Sequence, residues 1–447
     1  MLSFLWPGLG QLVLGRRAAA ILLAVPTLLV TAWVVLQLTQ GALLFAVSLW
    51  DESYALLVVA AICVSAVLRV GGIGHAFVVA IQGRRPRILD AAVAAVLVVA
   101  VVGSHGYLAS NVWAWYEASA EMQSNNMIGP DASQKPDLFA AASPASPVPL
   151  ASDVFLSTAT PDPAASPTRA PNPNRVTVLV IGLDDAASLT DTLMVVSVDK
   201  STGKVAMVSV PRDTSNFDLY YGGHVGPTFK LNTLLNSVTS GRLPSPDPPA
   251  KTLEKEIGFL VGIPVDYYAA MNFGGFASMI NAVGGIDLVM SAPIDDAARD
   301  LHLPAGPVHL DGATALKFVR AREYSGGSDY IRAARQQLLL VALEHKVASP
   351  SGIWRFNTLL SFAGKAISTD FPLKDARDYV PVAENLASIE NCVMGPPYSV
   401  HPDTASTDGT WTSRLDMARV ANLSAQLFGE DSAYYGKPGV VPAACGK

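Results

Sequence analysis

Charge is scarce in this chain: Asp, Glu, Lys and Arg make up only 15% of 447 residues, while half are hydrophobic. Soluble domains carry roughly a quarter charged residues. The deficit is concentrated in the first 110 residues, which excludes a wholly cytosolic enzyme. Basic excess is also missing. The net charge of −6 argues against a general nucleic-acid binder. Three cysteines are too few for a disulfide scaffold. Cys63 lies in an apolar run, whereas Cys392 and Cys445 lie far downstream, where an oxidising exterior allows them to pair. There is no HExxH, GxSxG or GxxxxGK[ST] motif and no glycine fingerprint after a strand, and the seven histidines are scattered. A zinc hydrolase, the usual serine hydrolase and a P-loop enzyme are therefore not expected.

What is present begins with apolar runs. Ala18 to Leu38 has no charge and is long enough to cross a hydrocarbon core of about 30 Å. A second run covers Tyr54 to Leu68 and extends toward Ile81, its inner end blurred by Arg69 and Gly71-Gly72. A third covers Ile88 to about Leu108. Leu2 to Leu14, broken by Pro7, Gly8 and Gly10, is too short to span and is expected at the interface. Arg16 and Arg17 precede the first span and Arg84, Arg85 and Arg87 precede the third, while the Thr39 to Ser53 loop carries only Asp51 and Glu52. By the positive-inside rule the chain is a multi-pass protein of the cell membrane, with its amino terminus cytoplasmic and everything after residue 110 extracellular. Plain anchoring is the reading for these helices, with Asp90 and His105 interfacial near the ends of the third span.

Residues 111–174 read as an extracellular linker. From Gly129 to Asn174 it is dense in Pro, Ala and Ser and has too few large apolar side chains to offset its ordering entropy. At Arg175 the character changes. Val176 to Ile181 is a continuous β-branched run, and Thr192 to Val198 and Lys204 to Val210 are strand-like runs joined by a hairpin loop, Asp199 to Gly203. Leu253 to Leu260 and Phe273 to Ala282 have helical patterning, and Ile286 to Met290 reads as a strand. Asp311 is placed to cap a helix from Gly312 to Val319, and Asp329 one reaching about His345. Mixed elements of this kind indicate an α/β or α+β sandwich with a central sheet. The core is expected over 175–350 and its C-terminal part over 351–430, followed by a tail, 431–447.

The chemistry concentrates at element ends. Asp184 and Asp185 follow the first strand, Asp191 opens the second, and Arg212 and Asp213 follow the third; open α/β sheets place ligands at such ends. Arg320, Arg322, Arg332 and Arg335 form a dense basic cluster with Gln336 beside them. On a helix Arg332 and Gln336 share a face. Planar guanidinium forks suit phosphate oxygens, and a carboxylate pair suits a bridging magnesium ion. Each residue alone also has a plain structural reading: Asp184 and Asp185 as a turn, Asp213 as the ion-pair partner of Arg212, Asp329 as a cap, and Arg335 and Lys230 as solvated side chains. Taken as a cluster on an outer domain, they favour an anionic lipid phosphate.

These residues also fall into a recognisable set of segments. Val180-Ile181-Gly182-Leu183-Asp184, Thr190-Asp191-Thr192, Val208 to Thr214, Lys230-Leu231-Asn232, Gly262 to Tyr268, Ala282 to Ile286, Leu310-Asp311-Gly312, Arg320-Ala321-Arg322, and Asp329 with Arg332, Arg335, Gln336 and Gln337 occur in the order seen in the LytR-CpsA-Psr family of bacterial cell-envelope proteins, which the outer domain resembles across about Val176 to Lys346. The resemblance implies an α/β/α sandwich around a central mixed sheet. It also implies a phosphotransferase that moves glycopolymers from an undecaprenyl-diphosphate carrier onto peptidoglycan, expected at a hydroxyl of N-acetylmuramic acid. By motif position, Asp184 and Asp191 hold Mg2+, and Arg212, Lys230, Arg320, Arg322, Arg332 and Gln336, with Arg335 nearby, cradle the diphosphate. Apolar side chains between sheet and helices form a tunnel for the prenyl chain. Phosphoryl transfer is mostly positioning and charge stabilisation, so Arg212, Arg320 and Arg322 can carry it, with Asp213 or Asp329 taking the acceptor proton. One departure stands out: the family usually has arginines between the two metal-site acids, and the stretch from Asp184 to Asp191 has none. Asp185 is a substitute ligand, or that part of the diphosphate grip is lost. Two other readings remain open, a non-catalytic polyprenyl-phosphate binder or sensor and a polyprenyl-diphosphate pyrophosphatase.

Overall fold

Apolar helices account for one of two compact units, Met1–Ala120 with Pro372–Val380; the other comprises Glu121–Phe371 and Pro381–Lys447. The computed structural model describes residues 2–81, 87–125, 127–128, 154–155, 172–184, 189–321, 329–348, 364–384, 386–400 and 412–435. In the first unit three helices are long and apolar enough to cross a membrane: α1 (Arg17–Thr39), α2 (Glu52–Ala80) and α3 (Ile88–Ser124). Asp51 caps α2 by accepting from the Tyr54 N–H at 2.9 Å. Arg69 and the Gly71-Gly72 pair do not interrupt α2, whose apolar register carries through them.

Here the structure adds detail to one expectation and changes two. The Leu2 to Leu14 segment forms two short helices, Leu2–Leu5 and Leu9–Val13, that dock on α2. Gln11 is fully buried and donates to the Gly72 carbonyl at 2.7 Å, while Ser3 donates to Gln11. A side chain at Gly10 would lie 2.1 Å from the Ser3 hydroxyl, which would have to turn away from Gln11. Second, α3 continues to Ser124 instead of giving way to a linker at 111, because no Gly or Pro interrupts residues 107–124 and Trp113 bonds Glu117 one turn on at 2.8 Å. Third, His105 consequently falls in the middle of α3, 3.3 Å from the Ser65 hydroxyl of α2, and not at a helix end. Within the rest of the expected linker, Val154 and Phe155 pair antiparallel with Val225 and His224; residues 129–153 and 156–171 lie outside the described residues.

The second unit is organised by a six-stranded mixed sheet. In chain order its strands are β1 (Arg175–Leu183), β2 (Thr190–Asp199), β3 (Lys204–Ser209), β4 (Tyr267–Asn272), β5 (Ile367–Thr369) and β6 (Ser388–Val393). Their order across the sheet is β5-β4-β1-β2-β3-β6. β1, β2 and β3 are antiparallel neighbours, while β4 runs parallel to β1 and β6 parallel to β3. The hairpin read at Asp199 to Gly203 is present, with Asp199 accepting from the Ser201 and Thr202 amides. Both edge strands come from the C-terminal part, so that part completes the sheet. Cys392, in β6, is buried and disulfide-bonded; Cys445 lies outside the described residues.

Side chains alternate across the strands. On one face Leu179, Ile181, Leu183, Leu193, Val195 and Val208 form a core with α4 (Pro249–Val261) and the late helix Met417–Phe428. The other face is covered by α5 (Phe273–Ala282), α6 (Gly312–Arg320) and α7 (Asp329–Ala348), the last packing Leu340 and Val341 near Met194, Val205 and Met207. The result is an α/β/α sandwich. Asp311 caps α6, accepting from Thr314 at 2.8 Å; the cap read at Asp329 rests on a side chain outside the described residues. The stretch read as a tail starts inside the fold, since Asp431 pairs with Arg175 at 2.6 Å, satisfying a half-buried guanidinium.

Candidate active site

The carboxyl ends of β1, β3 and β4 and the start of β2 meet at one end of the sheet, because β2 and β3 antiparallel pairing sets Met194 opposite Ser209. Immediately beyond β3 the chain turns. Val210 donates to Leu193 at 2.9 Å, Thr214 to Pro211 at 3.0 Å, and the carbonyls of Arg212 and Thr214 then accept from Asn232 and Leu231. Backbone bonds thus lock the Pro211-Arg212-Asp213-Thr214 turn against Lys230-Leu231-Asn232, two segments far apart in sequence.

Their side chains form an alternating line of charges. Arg212 is hydrogen-bonded to Asp191 through Nη1, and its Nε lies 3.6 Å from the Asp213 carboxylate. Lys230 holds Asp213 from the other side at 2.9 Å. Asp213 therefore takes both the ion-pair role and a second cation, and Lys230 is half-buried, not a freely solvated lysine. Asp184 accepts from the Leu189 N–H at 3.1 Å, and its own N–H donates to the Leu189 carbonyl, which closes the loop between β1 and β2. Asp185 lies outside the described residues.

Asp191 also borders a cavity of about 140 Å³ between the sheet and α5, α6 and α7. Its walls are apolar, including Val180, Met194, Phe276, Met279, Leu316 and Leu343, and its polar lining includes Asp191, Arg320, Arg332 and Gln336. Arg332 is buried and Gln336 lies one turn on, as their shared helix face requires. Arg320 is exposed, with its guanidinium 4.3 Å from the centre of the Phe273 ring. Gly182 forms part of this wall, and a Cβ there would meet Thr192 Oγ1 at 2.7 Å.

Arg335 is placed differently. It is buried, donates to the Ala321 carbonyl at 2.9 Å and lies over the Phe318 ring, so it holds the chain between Arg320 and Arg322. Gln337 bonds Ser209 and the Cys392 carbonyl, tying α7 to two strands. Arg322 and the Asp329 side chain lie outside the described residues. Two neighbours were not singled out from sequence. Phe273 carried no signal of its role, whereas Asn232 stood within a quoted motif; it is 6% exposed and its Oδ1 has no hydrogen-bond partner.

Among the described residues no three His, Cys, Asp or Glu side chains converge as a closed metal cage. Magnesium does not need one, since it takes one or two carboxylates and fills its octahedron with water and phosphate oxygens. Asp184 accepts within the loop between β1 and β2, Asp191 borders the cavity, and the buried Asn232 Oδ1 has no hydrogen-bond partner; oxygen donors of these types suit such an ion.

Arginines and a carboxylate lining an apolar cavity on one face of the sheet define a class, an α/β/α domain with a charged patch set in an apolar pocket. The model of the LytR_cpsA_psr family matches residues 156–427, and the chain belongs to that family. It is 28% identical over 208 residues to the polyisoprenyl-teichoic acid–peptidoglycan teichoic acid transferase TagV of Bacillus subtilis, covering 44% of this chain and 50% of that protein. Identity to the polyisoprenyl-teichoic acid–peptidoglycan teichoic acid transferase TagU of Bacillus mycoides is 29%, over 44% of this chain and 60% of that one. For the cell wall biosynthesis protein LcpA of Corynebacterium glutamicum it is 28%, over 46% and 42%. The chain thus spans about half the length of these curated relatives. The crystal structure of B. subtilis TagV aligns with a TM-score of 0.46 at 22% identity, over 57% of this chain and 97% of that one.

Proposed function

We propose that this membrane protein transfers a glycopolymer from an undecaprenyl-diphosphate carrier onto peptidoglycan, in a magnesium-dependent reaction. The observation that carries this reading is the cavity: apolar walls for a prenyl chain, with Arg320, Arg332, Gln336 and Asp191 in its lining. The curated relatives named as teichoic acid transferases to peptidoglycan support the donor and acceptor classes.

On this reading Arg332 and Gln336 grip the diphosphate from α7, Arg320 and Arg322 from the exit of α6, and Arg212 and Lys230 from the β3 side. The acceptor oxygen forms a bond to the sugar-side phosphorus, the bond to the bridging oxygen breaks, and undecaprenyl phosphate leaves. Arg320, supported by the Phe273 ring, and Lys230, held by Asp213, need little reorganisation as charge shifts onto the leaving phosphate. Magnesium, held by Asp184 and Asp191, supplies further charge neutralisation when bound. Asp213 and Asp329 are the carboxylates that this reading leaves to take the hydroxyl proton; a pH-rate profile unchanged by both Asp→Asn substitutions removes them. The positive-inside pattern orients the amino terminus to the cytoplasm and the α/β domain to the exterior.

The test uses the full chain with magnesium, a short lipid-diphosphate saccharide and peptidoglycan fragments, compared with Asp191→Ala. Mass spectrometry is expected to find saccharide phosphate on the acceptor together with lipid monophosphate, both lost in the variant and with chelator. Lipid binding without either product would favour a binding protein, and free saccharide phosphate without acceptor adduct a pyrophosphatase.

A further inference from the structure

Asp191 has one carboxylate and two claimants. Arg212 Nη1 is hydrogen-bonded to it, while the function proposed above, on which this inference rests, assigns the same group to a divalent cation. The bond occupies one of the two carboxylate oxygens, Oδ1, and a guanidinium and a divalent ion repel at such range, so the two compete for the group. The loop from Asp184 to Asp191 contains no arginine, and among the described residues Arg212 is the cation paired with Asp191.

The surroundings allow an exchange. Arg212 Nε lies 3.6 Å from Asp213, which Lys230 fixes at 2.9 Å, so the guanidinium has a second anchor about which Nη1 can swing away. The Arg212 backbone is pinned by Asn232, whose side-chain oxygen is buried without a hydrogen-bond partner.

We propose that Arg212 is a place-holder for the metal: it neutralises Asp191 until a divalent cation takes that carboxylate, and the displaced guanidinium then turns to the diphosphate. Arg212 is thereby a positioning residue for the metal as well as a diphosphate contact. Removing it raises metal affinity, whereas a purely supporting side chain would leave that affinity equal or lower.

The experiment is a Mn2+ titration of the full-length protein followed by electron paramagnetic resonance, with no lipid present, on the wild type, Arg212→Met, Arg212→Lys and Asp191→Asn. Arg212→Met is expected to bind Mn2+ more than about fivefold more tightly than the wild type, in the range of ordinary coupling between sites, and Arg212→Lys, which keeps the competing charge, to stay near the wild type. Equal or weaker binding by a folded Arg212→Met protein, with Asp191-dependent binding intact in the wild type, would overturn the exchange and leave the metal site standing. Binding by Asp191→Asn equal to the wild type would remove the metal from Asp191 and overturn both.

Discussion

The two faces of the central sheet are made by the same strands and do opposite things. Leu179 and Val180 are neighbours in β1, yet Leu179 is fully buried in the closed core under α4, while Val180 borders the cavity under α5, α6 and α7. The closed face is filled by Leu, Val and Phe at ordinary packing density. On the open face Gly182 and the methionines 194, 271 and 279 leave a space that flexible side chains line without closing. One face is closed by packing, and the other keeps a cavity beside its own buried clusters.

That contrast can be broken most severely from the closed side. Leu179→Ala is expected to cost about 2–5 kcal/mol in chemical denaturation, with Val180→Ala costing less than about half as much; equal losses would mean the open face is as tightly packed. On the open side, truncating one fork of a phosphate site costs about 2–5 kcal/mol of binding. Arg332→Ala is therefore expected to weaken diphosphate-lipid binding more than tenfold, measured by native mass spectrometry.

A third prediction concerns pH. Burial lifts the Glu256 carboxyl on α4 from 4.5 to about 8, opposed by the Tyr220 N–H and aided by the charge of Asp218. An acid whose pKa is raised on folding adds stability that is present below its unfolded pKa and is lost as pH rises through the folded one. Thermal stability of the wild type is expected to fall between pH 5 and 8, and Glu256→Gln to flatten that slope. The effect belongs to the closed face and should leave diphosphate affinity unchanged. The smallest expected effect is at the α6 cap: Asp311→Ala is expected to cost about 1 kcal/mol in urea denaturation, with a slight loss of lipid affinity through Arg320.

Much of this was legible from local pattern. Continuous apolar runs marked the three long apolar helices, β-branched runs marked β1 to β3, and Asp311 announced α6. Failures came where a local signal competed with distant packing. The partner of Gln11 had no local signal, because the carbonyl that accepts from its amide is that of Gly72, sixty-one residues away. Arg335 resembled Arg332 in sequence and differs in role, because only one of them faces the cavity while the other is turned to Ala321. Phe273 gave no functional signal at all, since a ring that supports a guanidinium looks like any other core aromatic.

The sequence by itself determined the three long apolar helices, the alternation that gives the sheet two faces, and the cluster of arginines, because each depends on spacings of two to twenty residues. Only the tertiary structure decided which charges meet. The line from Asp191 through Arg212 and Asp213 to Lys230 exists because antiparallel pairing of β2 and β3 and two backbone bonds to Leu231 and Asn232 bring distant segments together, and no local rule encodes that registration.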